Sequence, residues 1–319
     1  MDALIVSNMR AEEAHPARGC FVRDQVAALR EQPDLDVELF EFPPGARALA
    51  AAPVQLRRRY GRRRFDIVHA HFGLSAYPAL AVRARARALT VHGTDVRHPR
   101  TGPATRLVAW RMDIVAAVSQ ELAGELPTDA VLPCGVNLER FRPLPRAQAR
   151  RELGLDPAAP CLLFPADPAR AVKRFDRAAA LADSLEVPLL RAGDVPPERM
   201  PLLINAANAV LVPSDQEGFG LAVVEALACE VPVLATAVGV HPLALEDLPG
   251  TLCAPFELHR WRDALVPLVL QDDPRVDARS RAQAYSSVHM AERVHRAWRR
   301  ALTPGLSARE PLGTLAPPR

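Results

Sequence analysis

The segment DQEGFGLAVVEALA, residues 215–228, sets Glu217 in a glycine-bearing loop and Glu225 inside the helix that should follow it. Gly218 and Gly220 bracket Phe219 just ahead of Leu221. Glycines before a helix let backbone N–H groups turn toward an anion, and the helix N-terminus adds a favourable field. The loop therefore reads as a cradle for a diphosphate. Glu225, on an otherwise apolar helix, either accepts ligand hydroxyls such as those of a ribose or faces solvent. A second singular residue is Lys173, in PARAVKRFD: of 40 Lys+Arg it is the only lysine, which leaves 39 arginines. It is either a survivor in an arginine-biased composition or a site that needs a compact ammonium, because the planar guanidinium fork does not replace a point charge at a crowded phosphate.

Other residues define what the chemistry is not. His69 and His71 lie two apart on a strand and so share a face, but no carboxylate or cysteine spacing completes a metal set. They are expected to be strand-end histidines satisfied by neighbours, with no metal bound. His92, just before Gly93, and Gly19, in HPARGCFVRDQ, both fall at strand-to-helix turns where a ligand could approach. Val223 occupies the third glycine position of a dinucleotide fingerprint, Lys173 follows Val172 rather than glycine, and no GxSxG occurs. Nicotinamide dehydrogenases, P-loop NTPases and nucleophile-elbow hydrolases are thereby disfavoured.

The elements that must hold these residues are legible as alternation. Strands are expected at 3–8, 36–42, 65–72, 88–93, 113–119 and 130–136, then again at 161–166, 187–193, 209–214, 232–238 and 250–255. Helices are expected between many of them, including 21–32, 174–185 and 221–228, with others near 258–270 and 289–301. Short Val/Leu/Ile runs alternating with helical segments predict parallel sheets covered on both faces, in two doubly wound α/β domains facing a cleft. The proline-rich, charged stretch 140–160 reads as the connection between them. The domains are expected at 1–145 and 146–288, with a C-terminal helix 289–301 packing back toward the first and a disordered tail 302–319. In such sheets ligands bind beyond the carboxyl ends of the strands.

The 319-residue chain is 49% hydrophobic and 24% charged, with net charge +3, as expected of a water-soluble globular protein. The N-terminus lacks the basic region of a signal peptide, and the five scattered cysteines read as reduced thiols, so a cytoplasmic location is expected. The stretch RRRYGRRR carries Arg57, Arg58, Arg59, Arg62, Arg63 and Arg64. Such a cluster is either a solvated helix face or a contact for an anionic partner, a membrane surface or lipid phosphate ahead of nucleic acid.

Taken in order, PARGCFVRDQ, FDIVHAHFG, LTVHGTDV, VAAVSQEL, LPCGVNLERFRP, KRFD and PSDQEGFGLAVVEALACEVPVLAT resemble the glycosyl-transferases group 1 family over about residues 1–300. The resemblance implies the GT-B fold and a retaining transfer of a sugar from a nucleoside-diphosphate-sugar, UDP guessed over GDP, to a glycan or lipid-linked acceptor in envelope or exopolysaccharide synthesis. It implies no tightly bound cofactor and a peripheral position at the inner membrane face. By resemblance Glu225 holds the ribose and Glu217 the donor sugar, with the backbone of Gly218, Phe219, Gly220 and Leu221 beside sugar and diphosphate. Lys173 then faces the diphosphate, His92 the donor sugar and acceptor, and Gly19 the closing acceptor domain. The family's usual Gly-Arg is replaced by Ala166-Asp167, and Arg170 is read as the substitute cation. Two other readings are a nucleotide-sugar epimerase of the same fold and a catalytically degenerate nucleotide-sugar-binding protein.

Overall fold

The computed structural model describes residues 1–193 and 195–303. The chain forms two compact units, Met1–Gly135 with the segment from Ser287, and Val136–Ser286. The first is built on six parallel strands: β1 Asp2–Ser7, β2 Asp36–Glu41, β3 Arg64–His71, β4 Arg83–Val91, β5 Ile114–Ala117 and β6 Ala130–Val131, in the order β2-β1-β3-β4-β5-β6. The second holds β7 Leu162–Phe164, β8 Leu189–Arg191, β9 Ala209–Val212, β10 Val233–Ala235 and β11 Leu252–Cys253, in the order β11-β10-β9-β7-β8. Counted within each unit, the order starts 2-1-3 in both. Both sheets are therefore doubly wound, with the switch point between first and third strands.

Apolar runs place these strands. Ala3, Leu4, Ile5 and Val6 are all fully buried, as a strand covered on both faces requires. One cover of the first sheet is the helix Cys20–Arg30 against the C-terminal helix Ser287–Leu302, which brings Val22, Val26 and Leu29 together with Val294 and Trp298. The C-terminal helix thus belongs to the first unit although the rest of the chain before it folds as the second. In the second unit Trp261 and Leu265 of the helix Leu258–Val269 pack with Leu181 of Phe175–Ser184 over β7 and β9. The tail from residue 304 onward lies outside the described residues.

The unit boundary falls earlier than expected, after Gly135 rather than 145, and the second unit ends at Ser286 rather than 288. The stretch 140–160 is part of the second unit. Its helix Arg146–Glu152 buries two arginines that the sequence offers as surface charge. Arg146 donates to the carbonyl of Asp272 at 2.6 Å, and Arg150 to the carbonyl of Ala206 at 3.0 Å and to the Asn208 side chain at 2.8 Å. Burial holds the Arg146 guanidinium down at about 10, against the favourable charge of Asp273. Strand lengths also differ from the apolar runs: β6 is only two residues long, whereas β4 is longer than expected, beginning at Arg83 instead of 88. A 15-residue helix, Ala46–Tyr60, that periodicity did not single out carries the first half of the arginine cluster.

Candidate functional site

Lys173 and Glu217 come from the two loops that leave the switch-point strands of the second unit. After β7 the chain makes a short 3-10 turn, Ala171–Lys173, and Arg174 takes a left-handed φ of 55° before the helix Phe175–Ser184 begins. After β9 the chain runs from Pro213 to Gly220 and enters the helix Leu221–Ala228. The loops are tied together: the Asp215 N–H donates to the Val172 carbonyl at 2.9 Å, and the Asp215 carboxylate pairs with Arg174 at 3.2 Å and Arg177 at 2.8 Å. With the loops fixed, the Lys173 Nζ donates to both Glu217 Oε1 and Oε2 at 2.7 Å. Ser214 Oγ donates to the same Oε1 at 2.8 Å, and Ser214 is itself held through Thr236, whose hydroxyl reaches the Ser214 carbonyl.

Glu217 is 8% exposed. Burial alone would raise its pKa, but the Lys173 ammonium beside it, the field of His241 and the hydrogen bonds from Lys173 and Ser214 outweigh that and hold the carboxyl below its ordinary range. The result is a charged pair on the carboxyl edge of the sheet, a cation able to exchange a carboxylate for a phosphate oxygen.

Gly220 is where the loop cannot carry a side chain. It sits at φ 100°, ψ 44°, and a Cβ there would meet Nε2 of His241 at 2.3 Å. His241 is fully buried and donates from Nδ1 to the Thr236 carbonyl at 2.9 Å, so it forms a fixed wall behind the glycine. The sequence carries no signal for His241, which lies in no motif. Phe219 is core rather than lining: its ring packs edge-on against Tyr285 at 5.7 Å, and its carbonyl accepts from Val240 at 2.7 Å. Its contribution to a ligand is then limited to backbone. Gly218 is half-buried, Leu221 opens the helix, and Glu225 sits one turn in, half-buried, near Cys229. Arg170 is exposed at the start of the 3-10 turn, where its carbonyl accepts from the Lys173 N–H at 2.8 Å. Among the described residues its guanidinium makes no ion pair, and Arg174 and Arg177 are the arginines that shape the loop.

In the first unit, Gly19 caps the helix Cys20–Arg30 at φ 68°, with the Met9 carbonyl 2.3 Å from where a Cβ would stand. The same turn brings Phe21 against His92, ring centroids 4.9 Å apart, while Phe72 stacks on His92 at 4.6 Å and meets Phe21 at 6.1 Å. Phe72 has φ 70°, ψ 138°, an uncommon conformation for a bulky residue and one that concentrates at functional turns. Asp95 braces the turn, accepting from the N–H groups of His92 at 2.9 Å and Gly73 at 3.0 Å.

The three histidines form a chain. Trp298 Nε1 is a donor only, so its 3.2 Å bond to His69 Nδ1 puts the His69 proton on Nε2, which donates to Thr90 Oγ1 at 2.8 Å. His71 Nδ1 lies 3.0 Å from His92 Nε2, and His71 Nε2 is buried without a hydrogen-bond partner among the described residues. An orphaned N–H is rarer in interiors than an under-used acceptor. The proton therefore belongs on His71 Nδ1, which leaves His92 accepting at Nε2 and protonated at Nδ1. Among the described residues no three His, Cys, Asp or Glu side chains are grouped to hold a metal.

Burial drives His71 down to about 3, and burial together with neighbouring imidazoles lowers His69 and His92 well below their usual value. Because the unfolded chain takes up these protons near pH 6.5 and the folded chain does not, stability is present above about 6.5 and falls as pH drops toward 3. We expect each such histidine to contribute a loss of about 1.4 kcal/mol per pH unit in that window. Below about 4.5, protonation of Glu217, whose folded pKa is depressed, removes further stability. Denaturant titrations at pH 7, 6 and 5 (roughly spanning that window) check this. A His71→Asn variant with the same pH slope as wild type would contradict it.

Two doubly wound units, with a lysine–glutamate pair at one switch point and a braced histidine in the other unit, define a two-Rossmann sugar-transfer scaffold, and the sequence relatives agree. Residues 173–285 match the family described as glycosyl transferases group 1, and residues 11–140 match glycosyltransferase family 4. A D-inositol 3-phosphate glycosyltransferase of Actinosynnema mirum is 31% identical over 81% of this chain and 76% of that one. The protein of the same name in Nocardia farcinica is 30% identical over 95% and 80%. Sucrose-phosphate synthase from Thermosynechococcus elongatus superposes with a TM-score of 0.70 at 20% identity, covering 93% of this chain and 98% of that one. Anabaena HepE in complex with UDP gives 0.62 at 18%, covering 93% and 99%. The chain belongs to the group 1 glycosyltransferases, and its fold is GT-B.

Proposed function

We propose that the protein is a retaining, nucleotide-sugar-dependent hexosyltransferase whose second unit holds the donor. The observation that carries this reading is the Lys173–Glu217 pair beside the glycine-capped helix at a switch point. In the proposed complex Lys173 moves its ammonium to the diphosphate, where negative charge grows as the sugar–phosphate bond breaks. Glu217, released from the ion pair, accepts hydroxyls of the sugar. Backbone N–H groups at Gly218–Leu221 face the sugar and diphosphate, and Glu225 takes the ribose hydroxyls. Arg170, free of any ion pair among the described residues, is the available second cation for the diphosphate. His92 donates from Nδ1 to sugar or acceptor, and the glycine turn at Gly19 admits the diphosphate side of the ligand. One buried carboxylate at the loop favours attack on the same face as the departing phosphate over the two-carboxylate scheme of glycosidases.

UDP is the first donor base to test, since HepE, a structural neighbour, is described with UDP and with UDP-glucose. For acceptors, a lipid-linked glycan of envelope or exopolysaccharide synthesis stands beside the phosphorylated inositol that names the relatives. The experiment is thermal unfolding with UDP, GDP, ADP, CDP and dTDP, followed by transfer from the matching sugar with the anomeric configuration of product read by NMR. One diphosphate at about 100 times its Kd should add roughly 2.7 kcal/mol. An inverted product overturns the retaining mechanism. Stabilisation by none of the five overturns the donor reading, stabilisation without transfer or donor hydrolysis favours the degenerate binding protein, and sugar interconversion without acceptor favours the epimerase.

We further expect Gly19→Ala to lose about 1–2 kcal/mol from the left-handed φ alone, with more from the approach to Met9. Chemical unfolding of that variant measures it, and a loss under half a kcal/mol would show that the turn relaxes freely.

A further inference from the structure

The arginine cluster divides once it is folded. Arg63 pairs with Asp2 and Glu38, and Arg59 reaches Glu38 at 3.7 Å, so these two serve the sheet edge. Arg57, Arg58, Arg62 and Arg64 are exposed and make no ion pair among the described residues. They lie at the C-terminal end of the helix Ala46–Tyr60 and the start of β3, on the edge where the strands begin. The helix Gly73–Ala79 packs beside that helix and beside Gly102–Ala109, and all three run back from the carboxyl edge, so their C-terminal ends come out on one rim. Leu80, Leu107 and Trp110 stand on this rim. Trp110 is 86% exposed and Leu107 69%.

More charge joins them. Arg83 and Arg64 are register partners across β3 and β4 and both are exposed, and like charges on paired positions are unfavourable. Arg111, next to Trp110, is exposed and unpaired among the described residues. The nearby acids are already used: Asp66 by Arg85 and the Asp2 N–H, Asp113 by the Arg87 N–H, Asp2 and Glu38 by Arg63. The rim therefore combines a protruding tryptophan and leucines with six guanidinium groups that make no ion pair among the described residues.

We propose that this rim is a peripheral docking surface for an anionic phospholipid bilayer. Trp110, Leu107 and Leu80 enter the headgroup boundary, and Arg57, Arg58, Arg62, Arg64, Arg83 and Arg111 lie on lipid phosphates. An indole with an apolar body and a polar N–H suits the boundary between headgroups and chains, and basic residues add attraction to anionic lipid. The surface is of no use to the sheet itself, and its protruding apolar side chains suit insertion better than the lining of a nucleic-acid groove.

The test needs no turnover, so it stands or falls apart from the transferase reading. Trp261 and Trp298 are fully buried, which leaves Trp110 as the tryptophan that reports contact. Vesicles of phosphatidylcholine with about one-third phosphatidylglycerol should sediment the protein at low salt and shift its emission to the blue. Phosphatidylcholine alone should do neither, and high salt should release the protein. Trp110→Phe should still sediment but lose the spectral shift. Changing Arg57, Arg58 and Arg62 together to Ser should weaken binding on the order of 100-fold. No sedimentation with anionic vesicles overturns the proposal, as does bound protein with unchanged Trp110 emission, or tighter binding of single-stranded RNA than of vesicles. The wild-type emission result remains decisive even if the triple variant unfolds.

Discussion

Changing Lys173 to Ala should lower kcat by about 10²–10³, the loss expected when one fixed group that stabilises developing charge is removed. The same change strips a carboxylate that is 8% exposed of the cation that holds both its oxygens at 2.7 Å. Breaking a buried pair from one side typically costs about 3–5 kcal/mol, because the remaining charge has no partner. Glu217 then loses the main influence opposing its burial, and its pKa moves upward from the depressed value it has in the pair. Lys173→Ala with Glu217→Gln separates the two effects: the amide keeps the bond from Ser214 and removes the stranded charge. Stability should return toward wild type in this double variant while transfer stays absent. If Lys173→Ala kept kcat within tenfold, the lysine would have no role at the diphosphate, and its pairing with Glu217 would be structural. Arginine at 173 should not rescue, since its planar fork spans the carboxylate but cannot place a point charge in the same loop space.

The second large effect is expected at Gly220. Alanine there must hold φ near 100°, and its Cβ must displace a buried imidazole from 2.3 Å. Left-handed backbone costs about 1–2 kcal/mol for a residue with a Cβ, and forcing a new methyl into a packed interior adds about 1–3. Together these take a large share of the stability of an ordinary domain. The loop at Gly218–Leu221 is also re-aimed, so on the proposed donor role nucleotide-induced stabilisation should vanish even where the variant folds. Gly220→Ala combined with His241→Ala relieves the collision but not the backbone strain. It should regain only part of the loss in denaturant titration. Full recovery in the pair would assign everything to the collision, and no recovery would assign everything to the backbone.

How far these arguments were already written in the chain differs from residue to residue. Alternating apolar runs were enough for two parallel α/β units, because a strand buried on both faces must be apolar along its length. The helix Leu221–Ala228 falls at the expected residues, since glycine before it and Cys229-Glu230 after it punctuate a strong apolar run. The ends of strands were less legible: a run such as 130–136 is apolar for packing beyond the two residues that pair. The stretch 140–160 looked like a linker because proline and arginine are surface residues on average. Arg146 and Arg150 are instead interior residues that satisfy backbone carbonyls, of Asp272 and of the helix end at Ala206, and only the packed neighbours reveal that.

For the site, residue type and spacing by themselves determined the singular lysine, the two glutamates eight residues apart and the glycine-bearing loop between strand and helix. These follow from local chemistry: a compact cation, an acceptor pair and a backbone free of side chains. Tertiary structure alone decided that Lys173 and Glu217 meet, because they are 44 residues apart and are joined by the order of β7 and β9 in the sheet. It alone supplied His241 behind Gly220 and the chain from Trp298 through His69, His71 and His92, built from segments as far as 229 residues apart. It also divided the arginine run into residues that brace the sheet and residues that face outward. Spacing along the chain encodes what one strand or one helix turn can bring together. Contacts across sheet neighbours depend on which strands become neighbours, and that is fixed by the packing of the whole unit.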